Sequence, residues 1–233
     1  FSDGGQFFGE DLALKQARQM VADGAAIIDV GGESTRPGAA AVTIEQEIAR
    51  VVPVIKAIQS EINVAISIDT SKPDVMRAAI AAGAGLINDV QALRVEGALE
   101  AASALNVPVC LMHAQGTPQT MQDNPDYEHV VEEVVGFLLE RVVACEAAGI
   151  KRDKLIVDPG FGFGKRARHN LRLMKHLEQL IEIDLPVLVG VSRKSIIGKL
   201  LKASVEERLA GSIAMASIAV WQGAKLIRTH DVR

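Results

Sequence analysis

Short aliphatic runs alternate with amphipathic helical stretches along the whole chain, and that alternation leaves few folds open. Runs at 25–30, 63–68, 85–88, 108–112, 155–158, 186–191 and 224–229 are nearly continuous in apolar side chains. Such runs suit a parallel sheet covered on both faces. Between them, 10–23, 73–82, 96–105, 128–148, 169–182 and 204–221 read as helices. A further helix opens at Thr43, with Gln46 placed as its capping-box partner. Ile44, Ile48, Val51, Val52, Ile55 and Ile58 give it an apolar face at helical period, and Pro53 inside it predicts a kink. Ala82-Gly83, Ala148-Gly149 and Gln222-Gly223 read as glycine C-caps before the next strand.

Seven strands, each flanked by a helix, point to α/β architecture, and specifically to a (β/α)8 TIM barrel. Its first strand would precede Phe1 and the chain is expected to stop early at Arg233, so that 1–233 is expected to be one incomplete barrel domain. The length of 233 residues suits such a barrel, which typically runs to about 250 residues. A doubly wound open sheet is the alternative. The barrel is favoured because polar residues recur at the C-terminal end of every strand, where barrel active sites collect. A net charge of −4 with no basic stripe argues against a nucleic-acid binder. No apolar run is long enough to cross a membrane. Cys110 and Cys145, the 2 cysteines, sit in apolar stretches and read as reduced core thiols of a cytoplasmic protein.

The strand ends carry Asp29-Val30-Gly31-Gly32-Glu33-Ser34-Thr35-Arg36-Pro37-Gly38, Asp69-Thr70-Ser71-Lys72, Asn88-Asp89, Met112-His113, Asp158-Pro159-Gly160, Ser192-Arg193-Lys194-Ser195 and Arg228-Thr229-His230-Asp231. Carboxylates, an amide and a lysine at one mouth suit a ligand rich in N–H donors and carbonyl-like acceptors. Asp69, Asn88 and Asp158 can accept from ring or amino N–H groups, and Lys194 can donate. Arg228 and His230 alternate along the last strand and should point the same way. With the Ser-Arg-Lys-Ser loop they form a cationic corner where barrels usually bind phosphate. The residues alone therefore suggest a polar heterocycle beside a phosphate or pyrophosphate.

Taken together, these motifs resemble the dihydropteroate synthase family. The resemblance is carried by Phe1-Ser2-Asp3-Gly4-Gly5, Gly32 to Gly38, Ser67-Ile68-Asp69-Thr70-Ser71-Lys72-Pro73, Ile87-Asn88-Asp89, Asp158 to Lys165, Ser192 to Ser195 and Arg228 to Val232, in family order. It implies a transferase of folate biosynthesis that joins dihydropterin pyrophosphate to p-aminobenzoate, with sulfonamides as inhibitors. On this resemblance Asp69, Asn88, Met112, Asp158 and Lys194 bind the pterin, and Asp69, Lys194, Arg228 and His230 are catalytic. Thr35, Arg36, Arg228 and His230 match the pyrophosphate contacts. Phe1, Arg36, Pro37, Phe163 and Ser195 match the p-aminobenzoate surroundings. It also implies Mg2+ at the leaving group, with an Asn of the preceding family segment beside it and no ligand inside 1–233, and a homodimer. A methyltetrahydrofolate–corrinoid methyltransferase would share the pterin residues but need no cationic corner. An inactive pterin-binding remnant is the third alternative.

Other residues have plainer expectations. Asp29 either shapes its turn or touches ligand. His113 reads as pocket wall or a satisfied core histidine; His129, His169 and His176 read as surface residues on helices. Lys72 and Lys165 read as solvated loop charges, with ligand contact as the alternative, and Arg193 as a holder of its loop rather than of the substrate.

Overall fold

The computed structural model describes residues 10–36, 38–116, 120–121 and 125–233. Its strands are β1 (Ile27–Gly31), β2 (Ala65–Asp69), β3 (Leu86–Asp89), β4 (Val109–Met112), β5 (Leu155–Asp158), β6 (Leu188–Gly190) and β7 (Leu226–Arg228). The helices are α1 (Glu10–Ala22), α2 (Ile44–Glu61), α3 (Pro73–Ala82), α4 (Ala98–Leu105), α5 (Val130–Ala147), α6 (Ala167–Lys175), α7 (Glu178–Ile181), α8 (Ser195–Leu201) and α9 (Leu209–Trp221).

Strand order separates the barrel from the open sheet. β1 to β5 pair in parallel in chain order, and β6 pairs in parallel with β7. A parallel bridge between Val157 and Val187 joins β5 to the approach of β6. A doubly wound sheet would reverse its order at a switch point, and this wall never does. It curves until its two ends meet: the Arg228 guanidinium on β7 pairs with Asp29 on β1 at 2.6 Å.

The register sorts the side chains into two sets. Ile28, Ile66, Ile68, Ile87, Val109, Leu111, Val157 and Val189 join the helices in the main core. Side chains of opposite parity face inward, as period two requires. Cys110, Ile156 and Leu188 pack there with Leu86 and Leu226, five strands contributing to one apolar layer. One step further along the strands the inward positions become Asp69, Asn88, Met112, Asp158, Gly190 and Arg228. The barrel is thus plugged below by aliphatic side chains and polar above. Both cysteines are free and buried.

Most elements lie within a residue or two of the sequence reading, and the Thr43–Gln46 capping box is formed. Pro53 is carried inside a helix that runs unbroken from Ile44 to Glu61. It lies on the exposed side, where water can take the carbonyl that a proline leaves without its N–H partner. The expected helix 169–182 divides after Lys175, where the Gln222 amide donates to the Met174 carbonyl at 2.7 Å and satisfies the end of α6. The expected helix 204–221 starts only at Leu209, and α8 is a helix that the sequence pattern does not announce. Gly198 hides α8 in the sequence. A methyl there would sit 2.4 Å from Arg208 Nη2, because the guanidinium crosses α8 at that point to reach the Arg193 carbonyl at 3.0 Å.

Candidate active site

The polar layer is a connected network. The Asp29 carboxylate accepts from Arg228 Nε at 2.6 Å, from Asn88 Nδ2 at 3.3 Å and from the Ser67 hydroxyl. Arg228 Nη2 reaches the Asp69 carboxylate at 3.4 Å. Burial raises Asp69 to about 7, Asp29 beside it adds to the rise, and Arg228 opposes it. Burial pulls Arg228 down, but Asp29 and Asp69 outweigh it and hold the guanidinium above its ordinary value. Asn88 gives one of its two amide hydrogens to Asp29, and this turns its acceptor oxygen away from that carboxylate and leaves it for a ligand.

Asp158 and Lys194 make a second pair of groups. Asp158 accepts from the Gly160 N–H at 2.7 Å; burial raises its carboxyl, and Lys194 partly offsets the rise. Burial lowers Lys194 to about 8 against the pull of Asp158. Its ammonium donates to the Phe161 carbonyl and lies 4.9 Å from the Phe163 ring centroid. The two halves share one mouth: a side chain begun at Gly190 would meet Arg228 Cβ at 3.7 Å and Lys194 Nζ at 3.9 Å. The bare glycine keeps the space between those cations open. Met112 packs with Val90, Ala114, Met121 and Phe163 as an apolar wall of this region. A cavity of about 1300 Å3 runs along β1 and β7, lined among others by Asp29, Asp69, Asn88, Arg228, His230 and Arg36.

Thr35 and Arg36 stand in the β1–α2 loop on this cavity. Among the described residues, none gives the buried Arg36 Nη2 a hydrogen-bond partner. His230 falls beyond the end of β7, and its ring nitrogen meets the Ser192 hydroxyl at 3.0 Å. The expected alternation of Arg228 and His230 along one strand is therefore corrected: Arg228 ends the strand and His230 lies on the loop. Ser195 opens α8 and is exposed. Phe1 and Pro37 lie outside the described residues.

The loop bearing Lys194 is held tightly. Arg193 adopts φ 55, a region disfavoured for its side chain. Its N–H donates to Ser212 at 3.0 Å, and its guanidinium engages Asp231. Arg193 thus holds its loop, as expected.

Three expectations are overturned. Lys165 is not a solvated charge but only 3% exposed, its nitrogen meeting His113 Nδ1 at 2.8 Å and donating to the Gly160 and Phe163 carbonyls at 3.0 Å. The His113 carbonyl lies a little further off at 3.3 Å, and burial pulls the lysine well below its ordinary value. Burial, with Lys165 beside it, lowers His113 to about 2, so it is a neutral, satisfied core histidine. Lys72 bridges Glu33 at 2.8 Å and Glu47 at 2.6 Å instead of facing water. His169 is buried and stacks edge-on with Tyr127 at 5.0 Å, because its ring nitrogen accepts the Arg166 N–H at the start of α6. Of the two expectations for Asp29, the turn is not the one seen: it lies inside β1 and accepts from Arg228, Asn88 and Ser67. A charge within an aliphatic strand run was the signal for it.

Fold and site together define a barrel enzyme whose mouth suits a flat, hydrogen-bonding ligand next to an anion. The chain belongs to the family described as pterin binding enzyme, whose pattern matches residues 1–230. Within that family it is similar to the dihydropteroate synthases. It is 53% identical to the Escherichia coli K12 dihydropteroate synthase over 233 residues, which is 100% of this chain and 83% of that protein. The Yersinia pestis dihydropteroate synthase structure with a sulfonamide drug complex aligns with TM-score 0.97 at 49% identity, covering 99% of this chain and 84% of that one. The Xanthomonas albilineans dihydropteroate synthase with 4-aminobenzoic acid aligns with TM-score 0.92 at 50% identity, covering 100% and 83%.

Proposed function

We infer that the chain is a transferase acting as one barrel domain, condensing 6-hydroxymethyl-7,8-dihydropterin pyrophosphate with p-aminobenzoate to give 7,8-dihydropteroate and pyrophosphate. The observation that carries this reading is the inward layer of Asp69, Asn88, Asp158 and Lys194 next to Arg228, on a chain 53% identical to a dihydropteroate synthase.

In this reaction the methylene C–O bond breaks and pyrophosphate leaves with the electron pair. The pterin methylene cation is attacked by the arylamine nitrogen, which then loses a proton. Asp158 and the Asn88 oxygen accept from the pterin, Lys194 donates to it, and Met112 supplies an apolar surface. Asp69, once ionised, stabilises the cation by a fixed negative charge in a site with little water. Thr35, Arg36, Arg228 and His230 take the pyrophosphate; the buried Arg36 nitrogen, without a partner among the described residues, is a donor waiting for such an acceptor. Phe163 and Ser195, with Phe1 and Pro37, surround the p-aminobenzoate, where sulfonamides compete.

Among the described residues, no group of three His, Cys, Asp or Glu side chains is placed to hold a metal ion. The corner offers a hydroxyl and cations, which fits a Mg2+ carried by the substrate's phosphate oxygens and its own waters. When bound there, the ion would neutralise charge on the leaving group. Among the described residues no helix is long and apolar enough to cross a membrane; the reading places the enzyme in the cytoplasm. It also makes the chain a homodimer, with the exposed Leu200, Leu201, Ile213 and Trp221 of α8 and α9 as the contacting face.

Pyrophosphate release with both substrates and Mg2+ tests the reaction. Release that depends on p-aminobenzoate and is blocked by a sulfonamide is expected. Turnover with methyltetrahydrofolate instead would overturn the reading.

A further inference from the structure

Lys72 lies in the β2–α3 loop, three residues beyond Asp69 and at the N-cap of α3. Its three ammonium hydrogens meet three acceptors: Glu33 at 2.8 Å, Glu47 at 2.6 Å and the Val42 carbonyl at 2.8 Å. Glu33 and Val42 bracket the segment that bears Thr35 and Arg36. They are also tied directly, the Val42 N–H donating to the other Glu33 oxygen at 2.9 Å. Lys72 therefore closes the two ends of that segment on one another.

The junction is anchored in the core. Glu47 is 0% exposed on α2, so its charge has to be answered by a cation. Gly32 lies against α2 so closely that a methyl there would sit 2.8 Å from Glu47 Cγ, and Arg50 donates to the Gly32 carbonyl at 2.8 Å. Burial works against the charge on Lys72, but Glu33 and Glu47 more than offset it and the ammonium is kept. On the other side Lys72 is bound to the strand that carries Asp69: its N–H meets Thr70 Oγ1 at 3.3 Å, and the Thr70 N–H meets the Asn88 carbonyl at 3.1 Å.

We propose that Lys72, with Glu33 and Glu47, is a positioning residue that fixes the neck of the β1–α2 loop against the pterin-binding strand ends, and so sets where Thr35 and Arg36 meet the pyrophosphate. Lys72 itself touches no substrate. The proposal rests on the function inferred above and deepens it. It makes a distinction a general packing role would not: loss of the neck should harm recognition of the pyrophosphate and spare recognition of the pterin ring.

The test is calorimetric binding of 6-hydroxymethylpterin and of its pyrophosphate ester, with Mg2+, to wild type, Lys72→Met, Lys72→Arg and Glu33→Gln. Misplacing a contact by about 1 Å can cost up to about a hundredfold, so Lys72→Met is expected to weaken the ester by about tenfold or more. Binding of the alcohol should stay within about twofold. Lys72→Arg should recover part of the loss. Should Lys72→Met fail to fold, Glu33→Gln keeps an acceptor for Val42 and should still lower the ester-to-alcohol preference. Parallel weakening of both ligands, or an unchanged preference in every folded variant, overturns the proposal. A wild type that binds the alcohol and the ester equally overturns the functional reading instead.

Discussion

Burial raises the Asp69 carboxyl to about 7 and lowers the Lys194 ammonium to about 8, so the charges of both change close to neutral pH. Productive chemistry needs Asp69 ionised and Lys194 protonated. The pH profile of kcat/KM should therefore rise through about 7 and fall above about 8, and a flat profile over that range would contradict these roles. The same burial has a stability consequence. A carboxyl raised in the folded state binds its proton more tightly there than in the unfolded chain. It contributes stability that is fully present below its unfolded value, near 4, and lost as pH rises to about 7. Asp69→Asn should thus raise Tm at pH 8, with a gain that shrinks toward pH 4. It should also slow turnover by about a hundredfold, as loss of a fixed electrostatic contact does. Thermal melts at both pH values, beside steady-state rates, check the two halves of that expectation. Gly190→Ala isolates space from charge: the added methyl meets ordinary contacts and the backbone is compatible, so stability should hold or rise by about 0.4–1 kcal/mol while the KM for the pterin substrate rises.

The loops at the mouth are held by buried side chains that sequence pattern reads as ordinary loop polarity. Lys165 is the example: nothing in its spacing shows that an imidazole nitrogen and backbone carbonyls converge on it. Replacing it with Met leaves a ring nitrogen and two carbonyls unanswered, at about 1–3 kcal/mol each. A loss of ~3 kcal/mol corresponds to a fall in Tm of roughly 6–12 °C for a chain of this size, measurable by calorimetry. The helix α8 was illegible for a related reason. Gly198 looks like a breaker, yet it is required by the Arg208 guanidinium crossing it. Gly198→Ala would add about 1 kcal/mol of helix propensity but displace hydrogen bonds from a charged group worth about 1.5–3 kcal/mol. The expected sign is therefore destabilising. By contrast α2 was legible, because Thr43, Gln46 and the isoleucine stripe are local signals that the fold does not override.

At the scale of the molecule, the alternation of strand and helix was enough to suggest a barrel, and the unreversed strand order decides it. Parity did the rest: an aliphatic run that ends in Asp, Asn or Arg puts that group on the inward face, and the runs converge at one mouth. Sequence could not show that Asp29 couples β1 to β7 or that Gly190 keeps the mouth open, since both depend on chain segments far apart. The central claim is that this inward layer performs the condensation. Its most direct test is dihydropteroate formation by wild type and by Lys194→Ala, with thermal melts of both. Wild type should form dihydropteroate and pyrophosphate in equal amounts, and Lys194→Ala should lose most of that turnover without losing its fold. Undiminished turnover in a folded Lys194→Ala chain would place the chemistry elsewhere.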